Sequence, residues 1–133
     1  MLRGIDVDMR DISDTVMTLA ALAPVCVGPT RIRNVANIRI KETDRLAATA
    51  AELERLGQRV STGPDWLLVE PRPIHPAQVR TYQDHRMAMS FSVLGAVRSG
   101  IAIEDPACVA KTYPGFFADL AAAYRSAGAP APW

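Results

Sequence analysis

Two kinds of apolar spacing alternate along this chain of 133 residues, and this alternation restricts the folds it can adopt. Short stretches have the length and pattern of β-strands, whereas longer stretches between them repeat apolar residues at helical spacing. Strands interspersed with helices pack as layers around one core. We therefore predict an α/β or α+β domain, with strands at residues 5–9, 30–35, 59–61, 66–69, 79–82 and 101–104.

Polar residues just before the apolar helical stretches predict where the helices begin. Ser13 or Asp14 is expected to cap the first helix, Thr43 the second and Thr112 the fourth, because short oxygen-bearing side chains satisfy the first free amides. The third helix is predicted at residues 85–97. Gly57 is expected to end the second helix, since glycine adopts the left-handed conformation of a helix terminus without strain.

Charge and composition exclude several classes of protein. Fifteen basic and fourteen acidic residues give a net charge of +1, without the basic block or stripe of a nucleic-acid binder. The first ten residues alternate apolar and charged side chains, a pattern that is typical of neither a signal peptide nor a membrane span. We therefore expect a cytoplasmic protein. Cys26 and Cys108 lack a second pair of ligands nearby, so we expect reduced thiols and no zinc site.

Three cations stand at or near predicted helix starts: Arg45 in KETDR, Arg86 in DHR and Lys111 in AKTYP. A cation there opposes the helix dipole at a cost of about 0.3 to 1 kcal/mol. Were the three starts to meet, each pair of charges would also repel by about 2 to 3 kcal/mol. A bound phosphate or carboxylate removes this penalty and uses the free amides, so the pattern predicts an anion site.

Local ion pairing is the alternative explanation for these cations. Arg45 can pair with Glu42, and Arg86 with Asp84, as ordinary surface ion pairs that contribute little to stability. For any one cation taken alone this explanation is favoured. The prediction of an anion site therefore depends on the repetition of the pattern.

Groups that can move protons lie beside the same cations. Glu42 and His85 are candidates for acid or base catalysis, together with Lys41. Asp14 is equally well explained as a helix cap or as a catalytic carboxylate. Asn37 is equally well explained by a turn or by a ligand contact.

Three stretches, KETDRLAATAAELERLG, TYQDHRMAMSFSVL and DPACVAKTYPGFFADL, closely resemble in order and spacing the C-terminal part of the 5-enolpyruvylshikimate-3-phosphate synthase family. The likeness extends from about residue 4 to residue 124. It implies a domain built from βαβαββ repeats, with helix N-termini directed at the substrate cleft. It also implies transfer of the enolpyruvyl group of phosphoenolpyruvate to the 5-hydroxyl of shikimate 3-phosphate, without metal or cofactor, in the pathway that glyphosate inhibits.

The resemblance assigns roles to the candidate residues. It implies that Arg45, Arg86 and Lys111 hold the phosphate and carboxylate of phosphoenolpyruvate. Glu42 would protonate its methylene carbon, positioned by His85. The remaining residues, which would contact shikimate 3-phosphate, are Asp14, Asn37 and Lys41, with Asp14 and Lys41 also candidates for proton transfer.

The chain is much shorter than the enzymes it resembles. We expect residues 1–133 to be a partial C-terminal domain that lacks the N-terminal shikimate 3-phosphate domain and is inactive alone, with residues 129–133 frayed. Two alternatives are a weak phosphate- and carboxylate-binding fragment and a fragment that self-associates, for instance as a homodimer. A uridine-sugar enolpyruvyl transferase is less favoured, because KETDR and DHRMAM match the shikimate enzyme.

Overall fold

Six strands form two sheets in the part of the chain that the structure, a computed structural model, describes, which is residues 1–128. The larger sheet has the order β1-β2-β4-β3, in which β1 and β2 are parallel and the other neighbours antiparallel. The smaller sheet pairs β5 and β6 in parallel. The strands are β1 (Asp6–Asp8), β2 (Thr30–Arg33), β3 (Arg59–Thr62), β4 (Leu67–Glu70), β5 (Ala77–Val79) and β6 (Ile101–Ile103).

Within residues 1–128, three α-helices connect strands and a fourth follows the last strand, with short 3₁₀ helices before or after them. The chain order β1-α1-β2-α2-β3-β4 is one complete βαβαββ unit, and β5-α3-β6-α4 repeats its first four elements. The expected α/β architecture is thereby confirmed. The helices are α1 (Val16–Leu22), α2 (Arg45–Arg55), α3 (His85–Val97) and α4 (Phe116–Ser126).

The core lies between the helices and the inner faces of the sheets. Helix α1 packs against α3, and α2 packs against β3. Fully buried side chains from each of these parts meet there, including Met17, Ile32, Leu53 and Phe91. No helix within residues 1–128 is long and apolar enough to cross a bilayer.

Two predicted helix caps for the first half of the chain are wrong. Helix α1 begins at Val16, and neither Ser13 nor Asp14 caps it, because both lie in a 3₁₀ helix over Arg10–Thr15. Helix α2 begins one residue later than Thr43 predicts. Asp44 is its cap, and its carboxylate accepts a hydrogen bond of 3.0 Å from the amide of Ala47.

Two predicted boundaries in the second half also shift. The strand expected at residues 79–82 lies at Ala77–Val79, because Tyr82 and Gln83 have positive φ angles of 57° and 56° that end an extended strand. Thr112 does not cap α4, which begins at Phe116 with Gly115 before it. A 3₁₀ helix over Pro106–Lys111 occupies part of the chain between β6 and α4. The predicted frayed tail lies outside the described residues.

Gly57 ends α2 as expected, with φ of +84°, and its neighbourhood leaves no room for a side chain. A Cβ atom there would lie 2.9 Å from the Cβ of His75. We expect Gly57→Ala to lower the free energy of unfolding by about 1 to 2 kcal/mol, measured by urea denaturation. Gly128→Ala is the matched control, because Gly128 also has positive φ but nothing within 4 Å. Equal losses for both variants would show that the contact with His75 is unimportant.

Candidate active site

Arg45 is the first residue of α2 and, although charged, is only 2% exposed. Its guanidinium group donates two hydrogen bonds to Asp84, of 2.7 Å from Nε and 3.2 Å from Nη2. Nη2 also contacts Glu42, and Nη1 lies 3.4 Å from Oδ1 of Asp14. Because a buried charge is costly unless it is paired, these carboxylates are what allow Arg45 to occupy this position.

Asp84 fixes the other side of this arrangement and is fully buried. It precedes α3, where its Oδ1 accepts a hydrogen bond of 3.0 Å from the amide of Arg86, and the same carboxylate binds Arg45. Asp84 therefore joins the start of α2 to the start of α3. From the sequence, Asp84 is expected only as a local partner of Arg86. Its capping position before α3 is visible in the sequence, but its pairing with Arg45 is not.

Arg86 is the second residue of α3, and its guanidinium group is directed at Asp14 rather than at Asp84. Nη1 lies 3.4 Å from the main-chain oxygen of Asp14, and Nη2 lies 3.8 Å from its Oδ2. These contacts are long, and the side chain of Arg86 is 36% exposed. Arg86 is thus held loosely and remains accessible to a ligand.

Asp14 brings the two guanidinium groups together, since Arg45 and Arg86 both contact it. Three carboxylates, those of Asp14, Glu42 and Asp84, face these two cations. The protein's own carboxylates therefore offset the repulsion between these cations, which a bound anion was predicted to remove. The local pair between Arg45 and Glu42 is also present, which confirms that part of the alternative explanation.

The remaining candidates lie around this cluster. The side-chain amide of Asn37 donates a hydrogen bond of 2.8 Å to Ser13, next to Asp14, while its oxygen is buried without a partner among the described residues. Lys41 is exposed and forms no ion pair with any described residue. His85 is half-buried as the first residue of α3.

Lys111 does not lie at the start of the last helix. It is the final residue of the 3₁₀ helix Pro106–Lys111, whereas α4 begins at Phe116. The predicted position at a helix start is therefore confirmed for Arg45 and Arg86 and wrong for Lys111. Only the backbone of Lys111 is described, so whether its ammonium group joins the cluster stays a prediction.

A cavity of about 110 Å³ adjoins the cluster and is lined by Asp14 and Arg86 together with residues of α1 and α3. Pockets that enclose a small molecule usually measure about 300 Å³ or more. The described residues thus form one wall of a site rather than a closed pocket. A larger cavity of about 700 Å³ lies elsewhere, beside the end of α3 and the strands β5 and β6.

The chemical capacity of this wall follows from its groups. Guanidinium groups bind phosphate or carboxylate in two places, and the adjacent carboxylates and imidazole can hold or release a proton. No group of three or more His, Cys, Asp or Glu side chains within the described residues is placed to hold a metal ion. The wall is suited to binding an anion next to a proton donor or acceptor.

The sequence of this chain is similar to those of known proteins. Residues 1–120 match the family model described as EPSP synthase (3-phosphoshikimate 1-carboxyvinyltransferase). A 3-phosphoshikimate 1-carboxyvinyltransferase of Nostoc punctiforme is 58% identical over 116 residues, which is 87% of this chain and 27% of that protein. One of Serratia proteamaculans is 50% identical over 121 residues, 90% of this chain and 28% of that protein.

The fold is also similar to a solved structure. The structure of EPSP synthase from Acinetobacter baumannii superimposes with a TM-score of 0.82 at 28% identity, covering 92% of this chain and 30% of that one. The chain thus spans a little more than a quarter of the length of the curated relatives that it matches.

Proposed function

The chain belongs to the EPSP synthase family, and we propose that it supplies part of the active site for transfer of the enolpyruvyl group of phosphoenolpyruvate to the 5-hydroxyl of shikimate 3-phosphate. The observation that supports this most is the convergence of Arg45 and Arg86 on Asp14. One face of the domain thereby holds a buried and a partly exposed guanidinium group beside carboxylates. The reaction releases phosphate and needs both an anion-binding surface and groups that move protons.

Arg86 is proposed as the principal contact for phosphoenolpyruvate, because its side chain is accessible and loosely held. Arg45 contributes through Nη1 and Nη2, which contact Asp14 and Glu42, while Asp84 holds Nε and, at a longer distance, Nη2. An arriving phosphate or carboxylate group competes with those two side chains for Arg45. Lys111 is proposed to complete this anion site.

Proton transfer is assigned to groups on the same wall. Glu42, which contacts Arg45, is proposed to protonate the methylene carbon, with His85 at the start of α3 helping to position it. Protonation makes the adjoining carbon electrophilic toward the 5-hydroxyl, whose oxygen forms a bond to it. The adduct then loses phosphate and a proton from the new methyl group, which restores the double bond. Asp14, Lys41 and Asn37 are proposed to contact shikimate 3-phosphate, and Asp14 or Lys41 to take up a proton from it.

The first experiment tests the anion site in the chain itself. We expect nuclear magnetic resonance signals of the arginine side chains to move on titration with phosphoenolpyruvate, and less with sulfate at equal ionic strength. Those of Arg45 and Arg86 should move most. Equal shifts with both anions, or shifts at Arg33 and Arg98 alone, would contradict the proposal.

The second experiment tests whether the chain works as an enzyme segment. Replacing the matching segment of the Nostoc punctiforme relative by this chain should give a chimera that releases phosphate from the two substrates, whereas the isolated chain should not. The same chimera with Arg86→Ala is the matched control. Steady turnover by the isolated chain would refute the view that it supplies only part of the site, and a correctly folded but inactive chimera would favour a binding fragment.

Two finer proposals concern assembly and location. Exposed apolar side chains, including Ile12, Ile40 and Val97, favour self-association of the isolated chain as a homodimer. Light scattering that shows a monomer at high concentration would oppose this. A cytoplasmic location is proposed from the chain's membership of the EPSP synthase family, and fractionation of cells that express the chain tests it.

A further inference from the structure

A polar stripe runs along the buried side of α2 and holds the segment that leads into α3. Arg45, Thr49 and Glu52 form this stripe, and each is at most 2% exposed. Their spacing of four and three residues places them on one face of the helix. Each of the three contacts residues 80–87: Arg45 binds Asp84, the hydroxyl of Thr49 donates to the sulfur of Met87 at 3.5 Å, and Glu52 binds Arg80 and Tyr82.

Glu52 is the part of this stripe that lies farthest from the candidate active site. Its Oε1 accepts hydrogen bonds from the main-chain amide of Arg80, at 2.8 Å, and from Nε of Arg55, at 2.9 Å. Its Oε2 accepts one of 2.7 Å from the hydroxyl of Tyr82. A fully buried carboxylate is tolerated only when its oxygens are satisfied in this way, so these donors and Glu52 depend on one another.

The segment that Glu52 holds has a strained backbone. Tyr82 and Gln83 are consecutive non-glycine residues in the left-handed region, with φ of 57° and 56°. Such residues persist only where their surroundings determine the conformation. The strained pair is followed immediately by Asp84, whose amide donates to Thr81 at 2.9 Å, and then by His85 and Arg86.

We propose that Glu52 is a positioning residue for the anion site. By holding Arg80 and Tyr82, it fixes the turn that sets Asp84 against Arg45 and sets the direction in which α3 presents Arg86. Glu52 itself touches none of the proposed substrate contacts, since Arg45 lies two helical turns away on α2. The choice of phosphoenolpyruvate as ligand rests on the proposed function, whereas the positioning of Arg45 does not.

Tyr82→Phe is the main test, because it removes one hydrogen bond to Glu52 and preserves the ring. In the ligand-free chain we expect the Nε–H signal of Arg45 to shift in the nuclear magnetic resonance spectrum. The affinity for phosphoenolpyruvate should fall about threefold to tenfold, as for the loss of one ordinary hydrogen bond. Tyr113→Phe is the matched control, since it removes a hydrogen bond from an exposed tyrosine to Asp119 without touching α2, and it should change neither quantity.

Glu52→Gln provides a second test, because it changes the other residue of the hydrogen bond between Tyr82 and Glu52. Burial and, secondarily, the hydrogen bond to Glu52 raise the pKa of Tyr82 to about 12. With a neutral glutamine, the Tyr82 phenol should ionise at lower pH, and the Arg45 signal should move in the same direction as in Tyr82→Phe. The double variant should lose little more affinity than either single variant, because both act through one contact.

The outcomes of these experiments distinguish the positioning role of Glu52 from the proposal that phosphoenolpyruvate is the ligand. The positioning role would be overturned if Tyr82→Phe left both the Arg45 signal and the affinity for phosphoenolpyruvate unchanged. A lower melting temperature without a change in signal or affinity would overturn it as well, because Tyr82 would then serve stability alone. If the wild-type chain does not bind phosphoenolpyruvate but the Arg45 signal moves, positioning stands and the proposed ligand is wrong. If Glu52→Gln does not fold, Tyr82→Phe still decides the matter.

Discussion

Replacing Arg45 by methionine is expected to lower the free energy of unfolding by about 3 to 5 kcal/mol, because it leaves Asp84 charged, fully buried and without its main partner. Methionine retains much of the volume of arginine, so the loss of stability reflects the removed charge rather than a change in packing. Among the described residues, the carboxylate of Asp84 would keep only the hydrogen bond from the amide of Arg86. Urea denaturation at neutral pH measures this loss.

Two further variants identify the cause of that loss. Arg33→Met removes an exposed pair, in which Arg33 and Asp6 are 45% and 61% exposed, and should cost no more than about 1 kcal/mol. Adding Asp84→Asn to Arg45→Met should restore part of the lost stability, because asparagine can still cap α3 but carries no charge. A loss for Arg45→Met no larger than that for Arg33→Met would show that the buried pair contributes no more than a surface pair.

Arg86→Ala is expected to weaken phosphoenolpyruvate binding about 10- to 100-fold, which corresponds to about 1.5 to 3 kcal/mol for hydrogen bonds to a charged group. The free energy of unfolding should change by less than about 0.5 kcal/mol. It can even rise slightly, because a cation in the first turn of α3 opposes the helix dipole. The long contacts to Asp14 and the partial exposure of Arg86 are the structural reason for this small effect on stability.

Isothermal titration with phosphoenolpyruvate and urea denaturation of the same samples test this prediction. Arg98→Ala is the control, because Arg98 is also exposed and its side chain, among the described residues, donates only to the adjacent main-chain oxygen of Val97. It should leave the affinity unchanged. If Arg86→Ala instead unfolds the chain while its folded fraction binds normally, Arg86 serves the fold and not the ligand.

The two arginines show why sequence position alone does not assign a role. Both are confirmed near the start of a helix, and both contact Asp14. Yet Arg45 is buried among carboxylates, whereas Arg86 is partly open to solvent, and this difference predicts opposite effects on stability and binding. Burial depends on what the rest of the chain packs against each side chain, which the motifs KETDR and DHR do not contain.

The partners of the buried carboxylates are the part of the site that is least visible in the sequence. Asp84 lies 39 residues from Arg45 in the sequence, and Glu52 lies 30 residues from Tyr82. No periodic pattern links such pairs, so a buried pair and a solvated one look alike in the sequence. Asp14 is the reverse case: its predicted helix-capping role is wrong, and the structure places it between two guanidinium groups.

By itself, the sequence determined the order of helices and strands and the end of α2 at Gly57. These features follow from the spacing of apolar residues and from backbone preferences, which act over a few neighbouring residues. The tertiary structure decided which cations are buried, which carboxylates neutralise them and how the strained turn before α3 is held. Those properties arise only when α1, α2 and α3 pack together, because the cost of burying a charge depends on partners that are distant in the sequence.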